Sequence, residues 1–174
     1  MRNYFTEDYT DRLTSQHELA GAYLADRQTK DAIRLLEHVV AVRETSLVED
    51  HSERLNSQHE LAAAYLADGQ TKDAIQLLEH VVAVRETSQA EDHLDRLASQ
   101  HELARAYLAD GQTKDAIQLL EHVVAVRGTL QAEDHPDRLT SQHVLTGAYY
   151  TNEQAEKAEN LLAMYQMSNA LMQC

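Results

Sequence analysis

The ten histidines of this 174-residue chain are the first candidates for chemistry, because imidazole binds metals and moves protons near neutral pH. They fall into three registers: His17, His59, His101 and His143; His38, His80 and His122; and His51, His93 and His135. Zinc requires three or four ligands converging at about 2 Å from the ion. Within each register the histidines recur every 42 residues. In a stack of helices that spacing separates equivalent side chains by about 10 Å. They do not share an ion readily. The run His59-Glu60-Leu61-Ala62 also lacks the second histidine of a helical zinc-protease motif. No metal and no cofactor is expected, and the histidines read as surface residues copied with their unit.

Other routes to catalysis are no better supplied. The chain has no glycine-rich phosphate loop and no nucleophile elbow, and Cys174 is its single cysteine, with no histidine motif to pair it. Its carboxylates are spread evenly, as solvated helix faces usually are. A catalytic constellation brings unlike groups to one place, whereas this chain repeats like groups. No catalytic residues are expected, and the chain reads as a non-enzyme.

Composition says what kind of partner to look for. Lys and Arg number 15 against 29 Asp and Glu, a net charge of −14, which disfavours nucleic acid and anionic membranes and favours a basic or neutral partner. No apolar run approaches the ~20 residues of a membrane helix. The stretch MRNYFTEDYTD has no apolar segment after its arginine, so no secretory signal is expected. A lone cysteine favours a reducing, cytoplasmic setting. With one proline and five glycines among many Leu, Ala, Glu, Gln and Arg residues, the class is all-α.

The elements that must position these side chains are written repeatedly. AYLADGQTKDAIQLLEHVVAVR occupies 64–85 and again 106–127. The pairs Arg12-Leu13, Arg54-Leu55, Arg96-Leu97 and Arg138-Leu139 mark a 42-residue register. The expected organisation is a flanking segment 1–11, units 12–53, 54–95 and 96–137, and a degenerate fourth unit 138–174. Each unit predicts two helices. The first, Leu55 to Ala67 in the second unit, places Leu61, Ala62 and Tyr65 on one side. It closes at Asp68-Gly69, where glycine takes the left-handed conformation. Thr71 is the expected N-cap of the next helix, with Asp73 in its first turn. The apolar residues of that helix are Ala74, Ile75, Leu77, Leu78, Val81, Val82 and Val84, and Pro136 suits the first turn of a later one. Breaks are expected near 26–29, 68–71, 110–113 and 151–154. One such pair cannot cover its apolar side alone, but stacked copies can, as an α-solenoid.

These residues resemble a tetratricopeptide repeat of the kinesin-light-chain type. The likeness rests on Leu61-Ala62, Tyr65, Ala74, Leu78 and the Glu-Asp-His linkers, with Glu-Asp-His-Pro at 133–136. It spans residues 12–170. Gln58 and Val81 stand where the family usually carries an early aromatic and a late small residue. The resemblance implies an all-α right-handed superhelix whose first helices line a concave groove that binds protein or peptide. Near-identical repeats are also similar to the sensor region of fungal STAND proteins, NLR-like receptors of innate immunity. That likeness implies a ligand-sensing module.

The letters that differ between copies locate the groove. Across the first helices of units one to three, change is confined to Thr14/Asn56/Ala98 and Gly21/Ala63/Arg105. Seven residues return a helix to within about 20° of the same direction, so the two sites share a stripe. His17-Glu18, His59-Glu60 and His101-Glu102 lie beside it, with Thr140 and His143 in the fourth unit. Leu19 and Tyr23 point the other way, toward the core. Ser15, Gln16, His17 and Glu18 read as exposed yet fixed, which sets the stripe apart as a recognition surface against the alternative of drift. Each neighbouring Glu favours protonated His17, His59 and His101, so acid is expected to weaken a basic ligand. Met164, Tyr165, Met167 and Met172 suggest a C-terminal cap or self-association through an exposed C-terminal helix. Self-assembly of solenoids and motor cargo binding stand as alternatives to the groove.

Overall fold

The computed structural model describes the backbone of residues 4–171 and the side chains of residues 10–163. Its described residues form α1 (Tyr4–Ala25), α2 (Thr29–Ser46), α3 (Ser52–Ala67), α4 (Thr71–Ser88), α5 (Leu94–Ala109), α6 (Thr113–Leu130), α7 (Pro136–Thr151) and α8 (Ala155–Leu171). Among them there is no strand. The breaks fall where the 42-residue register places them. One start differs, since α1 begins at Tyr4 and runs through the segment expected to flank the repeats.

Each helical hairpin turns through one residue in the left-handed region. Gly69 and Gly111 have φ of 81°, and the amides of Gln70 and Gln112 reach back to the carbonyls of Tyr65 and Tyr107 at 2.8 Å. This is the closure that favours glycine after a helix. Because the chain re-enters a helix at once, Thr71 is the first helical residue and not a cap. The preceding glutamines 28, 70 and 112 instead turn their amides onto Asp26, Asp68 and Asp110. Arg27 and Glu153 take the glycine's place in the first and last hairpins at φ 60° and 58°. An L-residue there costs about 1–2 kcal/mol, partly offset by a stiffer unfolded chain. Gly69→Ala is therefore expected to lower unfolding stability by about 1 kcal/mol, measurable by urea titration.

The other helix starts reveal a use for the linker histidines. Nδ1 of His51, His93 and His135 accepts the amide of Glu53, Asp95 and Asp137, each at 3.2 Å. They are N-caps, with imidazole standing in for the usual Asp, Asn or Ser. Pro136 follows the last of them at the head of α7, where its missing N–H costs nothing.

The chain divides into two compact units, Met1–Ser88 and Gln89–Cys174. In the first, α2 packs on α1 and α3, and α3 on α4. Ala20, Ile33, Leu36, Val40, Leu61 and Ala64 share one core there. In the second, α6 packs on α5 and α7, and α7 on α8, around Ile117, Leu120, Leu145, Ala148 and Tyr149.

A first helix caught between two second helices buries two faces. In α3 these carry Leu55, Ser57, Gln58, Leu61, Ala62 and Ala64, all buried. The Ser-Gln pair read as exposed is so only in part: Ser15 is exposed and Gln16 half-buried, but the copies Ser57, Gln58, Ser141 and Gln142 are interior. Arg43 of α2, 3% exposed, donates to Ser57 Oγ at 2.5 Å and to the Glu53 carbonyl at 3.0 Å, and pairs with the Glu53 carboxylate at 3.1 Å. Arg127 of α6 repeats the clamp on Ser141 Oγ at 2.6 Å and the Asp137 carbonyl at 2.7 Å. Leu19 is the second correction. It is 45% exposed, whereas its counterpart Leu61, flanked on both sides, is 4% exposed.

Candidate functional site

The first-helix stripe is brought together inside each unit, where α1 packs against α3 and α5 against α7. In the first unit Glu18, Gly21 and Asn56 are exposed, and Thr14, His17, His59, Glu60 and Ala63 are half-buried. In the second unit Arg105, Thr140 and His143 are exposed and Ala98 and Glu102 are half-buried. His101 is buried, at 6% exposure, which removes it from the surface. Its Nδ1 lies 3.1 Å from Ser141 Oγ, so its place is fixed by the neighbouring helix.

The varied letters have distinct surroundings. Arg105 lays Nη1 against both carboxylate oxygens of Glu102 at 2.9 Å, one turn back on the same helix. Asn56 Oδ1 accepts from Arg85 at 2.5 Å, so this substitution also serves packing. Thr140 donates to the Pro136 carbonyl at 2.8 Å, as helix threonines do. Gly21 has open space around its Cα.

Burial overturns the expected charge on the histidines. Desolvation lowers the His17 pKa, with Arg43 adding to the effect, against the pull of Glu60, Glu18 and Glu53. Desolvation drives His101 down to about 4, helped by Arg127 and Arg105 and opposed by Glu102 and Asp137. Losing water outweighs the neighbouring carboxylates. At pH 6 the His101 ring stays neutral, and His17 is shifted in the same direction, against the expected protonation.

A groove of the first unit lies elsewhere. A groove of about 600 Å³ is lined by Glu44, Arg54, Gln58, Tyr65, Asp73 and His80, with Leu61 and Leu77 at its apolar side. On α3, the lining positions 54, 58, 61 and 65 point nearly opposite to Asn56, His59, Glu60 and Ala63. None of the expected site residues lines it. The groove is wired internally: Gln58 donates to Glu44 at 2.8 Å, and Arg54 to the Leu47 carbonyl at 3.2 Å. Tyr65 donates to Glu37 at 3.0 Å, and desolvation together with that carboxylate pushes its pKa up to about 12. The phenol stays neutral. In the second unit a groove of about 530 Å³ is lined by Glu91, Asp92, His122 and the side of α6. Among the described residues, no three His, Cys, Asp or Glu side chains converge as a metal site requires. No helix of the described residues is long and apolar enough to cross a membrane. Met164, Tyr165, Met167 and Met172 lie outside the described side chains.

Hairpins repeating every 42 residues, left-handed hairpin turns and first helices buried on two faces set the terms for comparison. The tetratricopeptide repeat model matches residues 11–87, 53–129 and 95–165. The chain belongs to the tetratricopeptide repeat family. Its fold is all-α, of the tetratricopeptide solenoid type. A Podosopora anserina protein described as a kinesin light chain with nearly identical TPR-like repeats is 49% identical, with a TM-score of 0.88 over 91% of this chain and 75% of that one. BtubC (BKLC) from P. vanneervenii is 15% identical, with a TM-score of 0.83 over 92% of this chain and 64% of that one. A Rap protein complexed with competence and sporulation factor is 13% identical, with a TM-score of 0.79 over 94% of this chain and 44% of that one. The last two share the fold alone. No curated protein sequence matches the chain significantly.

Proposed function

We propose that this tetratricopeptide chain is a non-catalytic scaffold that binds a protein or peptide segment along the first-helix stripe. The observation that carries the proposal is Arg105. A cation stands exposed on α5, oriented by Glu102, where the sister helices carry Gly21 and Ala63. With Glu18, Asn56 and Glu60 in the first unit and Glu102, Thr140 and His143 in the second, each unit's stretch of the stripe presents carboxylates and hydrogen-bonding groups to a basic segment. Arginine 105 breaks that pattern at one place and reads a carboxylate or backbone carbonyl. The wider context we propose, from the likeness of near-identical repeats to STAND sensor regions, is the ligand-sensing repeat module of an NLR-like receptor; the 49% identical Podosopora anserina protein likewise has nearly identical repeats. Cargo binding, from the kinesin-light-chain likeness, is the second reading.

Arg105→Ala tests the stripe. An exposed pair contributes about 0–1 kcal/mol, so the melting temperature is expected to hold. Affinity for the segment recovered by pull-down, read by titration calorimetry, is expected to fall about tenfold or more. Unchanged affinity would reduce the stripe to drift among exposed positions.

A further inference from the structure

We propose that the groove over α3, between α2 and α4, binds a primary alkylammonium group, its ammonium held by Glu37 and Asp73 against Tyr65 and its carbon chain along Leu61 and Leu77. A lysine of this chain already makes such a contact in the second unit. There Tyr149 donates to Glu121 at 2.7 Å, and Lys157 sets Nζ 3.1 Å from the same carboxylate oxygen. The ammonium stands 5.3 Å from the centre of the Tyr149 ring, close enough to be drawn to its negative face. Leu145 and Leu161 belong to the same apolar cluster as that tyrosine.

Two repeats earlier the same register reads Glu37, Leu61, Tyr65, Asp73 and Leu77. Tyr65 donates to Glu37 at 3.0 Å, so the pair of phenol and carboxylate is formed, but a second carboxylate stands in the place of the lysine. Burial and Glu37 hold the proton on Tyr65, and Asp73 adds to that field. Glu37 and Asp73 are both exposed, and among the described residues neither pairs with a cation. The rest of the groove, about 600 Å³, suits the chain behind such a head. Leu61 lies between Tyr65 and Gln58, which are about 10 Å apart along α3, with Leu77 beside it. At the far end Gln58 is 1% exposed, and its Oε1 meets no donor among the described residues. The basic groups of the lining are kept to that end, beside Glu44: Arg54 is tied to the Leu47 carbonyl at 3.2 Å and His80 to Glu49 at 3.6 Å. A cationic head is therefore drawn to the Tyr65 end.

The test is an NMR titration of the full chain with n-pentylamine, followed at the methyl groups of Leu61 and Leu77. Saturable shifts are expected. 1-Pentanol, the same chain without the charge, is expected to bind about tenfold or more weakly. Glu37→Gln removes the carboxylate whose counterpart meets Lys157, and Asp73→Lys installs the sister groove's own lysine. Each is expected to weaken pentylamine about tenfold or more. Both side chains are exposed, so the variants keep the fold, which circular dichroism checks. N-acetyl-lysine methylamide carries the same ammonium on a peptide unit. Tighter binding than pentylamine assigns the site to a partner's lysine and weaker binding to a free amine, and either result supports the ammonium site. Absence of saturable shifts, equal affinity for pentanol, or affinity indifferent to Glu37→Gln or to Asp73→Lys each overturns it.

Discussion

Replacing Arg43 by alanine is expected to lower unfolding stability by about 3 kcal/mol, because a buried cation and its fork of hydrogen bonds are lost together. The guanidinium is 3% exposed and bridges α2 to α3 through the Glu53 carbonyl, Ser57 Oγ and the Glu53 carboxylate. Burial pulls its pKa down and Glu53 pulls it back, but an arginine remains charged. Truncation empties the space of a long stem and leaves three acceptors without their donor. Ser57 keeps its own bond to the Glu53 carbonyl at 2.8 Å, so the loss falls on the clamp rather than on the serine. Arg43→Lys is expected to recover little, because one ammonium cannot reproduce a planar fork reaching two residues. Arg43→Met retains the stem and separates packing from hydrogen bonding. Urea denaturation of the three variants checks this; equal midpoints for Arg43→Ala and the parent would mean that the clamp holds nothing.

The clamp also marks where sequence reading ends. Helix bounds and breaks were legible because they depend on local chemistry. Gly69 and Gly111 announce left-handed turns, and Ala74, Ile75, Leu78 and Val81 keep a helical period. A single amphipathic period assigns one buried face per helix, whereas α3 is enclosed by α2 on one side and α4 on another. Ser57 and Gln58 fall on the second buried face and so passed for surface. The clue was the invariance of the Ser-Gln pair together with an arginine ending each second helix, at Arg43, Arg85 and Arg127. The caps at His51, His93 and His135 were hidden for another reason: histidine is an uncommon N-cap, and only the backbone shows Nδ1 meeting an amide. For the candidate site, the pairing of Arg105 with Glu102 follows from their three-residue spacing, but the burial of His101 depends on Ser141, forty residues away.

That burial leads to the second large effect. Lowering the pH from 7 to 5 is expected to remove about 2 kcal/mol of stability through His101 alone. Ser141 Oγ accepts from Arg127 at 2.6 Å and gives its one proton to the Asp137 carbonyl at 3.0 Å. The hydroxyl then accepts from His101 Nδ1, which assigns the proton of the neutral ring to that nitrogen. A second proton would put a new charge in the interior facing Arg127 and Arg105, with Glu102 and Asp137 in opposition. Desolvation is the main reason the pKa falls from 6.5 to about 4. Between those values the unfolded chain binds the proton and the folded chain does not. Stability is therefore full above the unfolded value and is lost as the pH falls from it toward the folded one. His101→Gln carries no titrating group, so its urea midpoint should depend less on pH over this range by the same amount. His17, shifted in the same direction, contributes to the slope that remains. If the parent and His101→Gln lose stability in parallel between pH 7 and pH 5, His101 is not the desolvated base that its place beneath Ser141 and Arg127 requires.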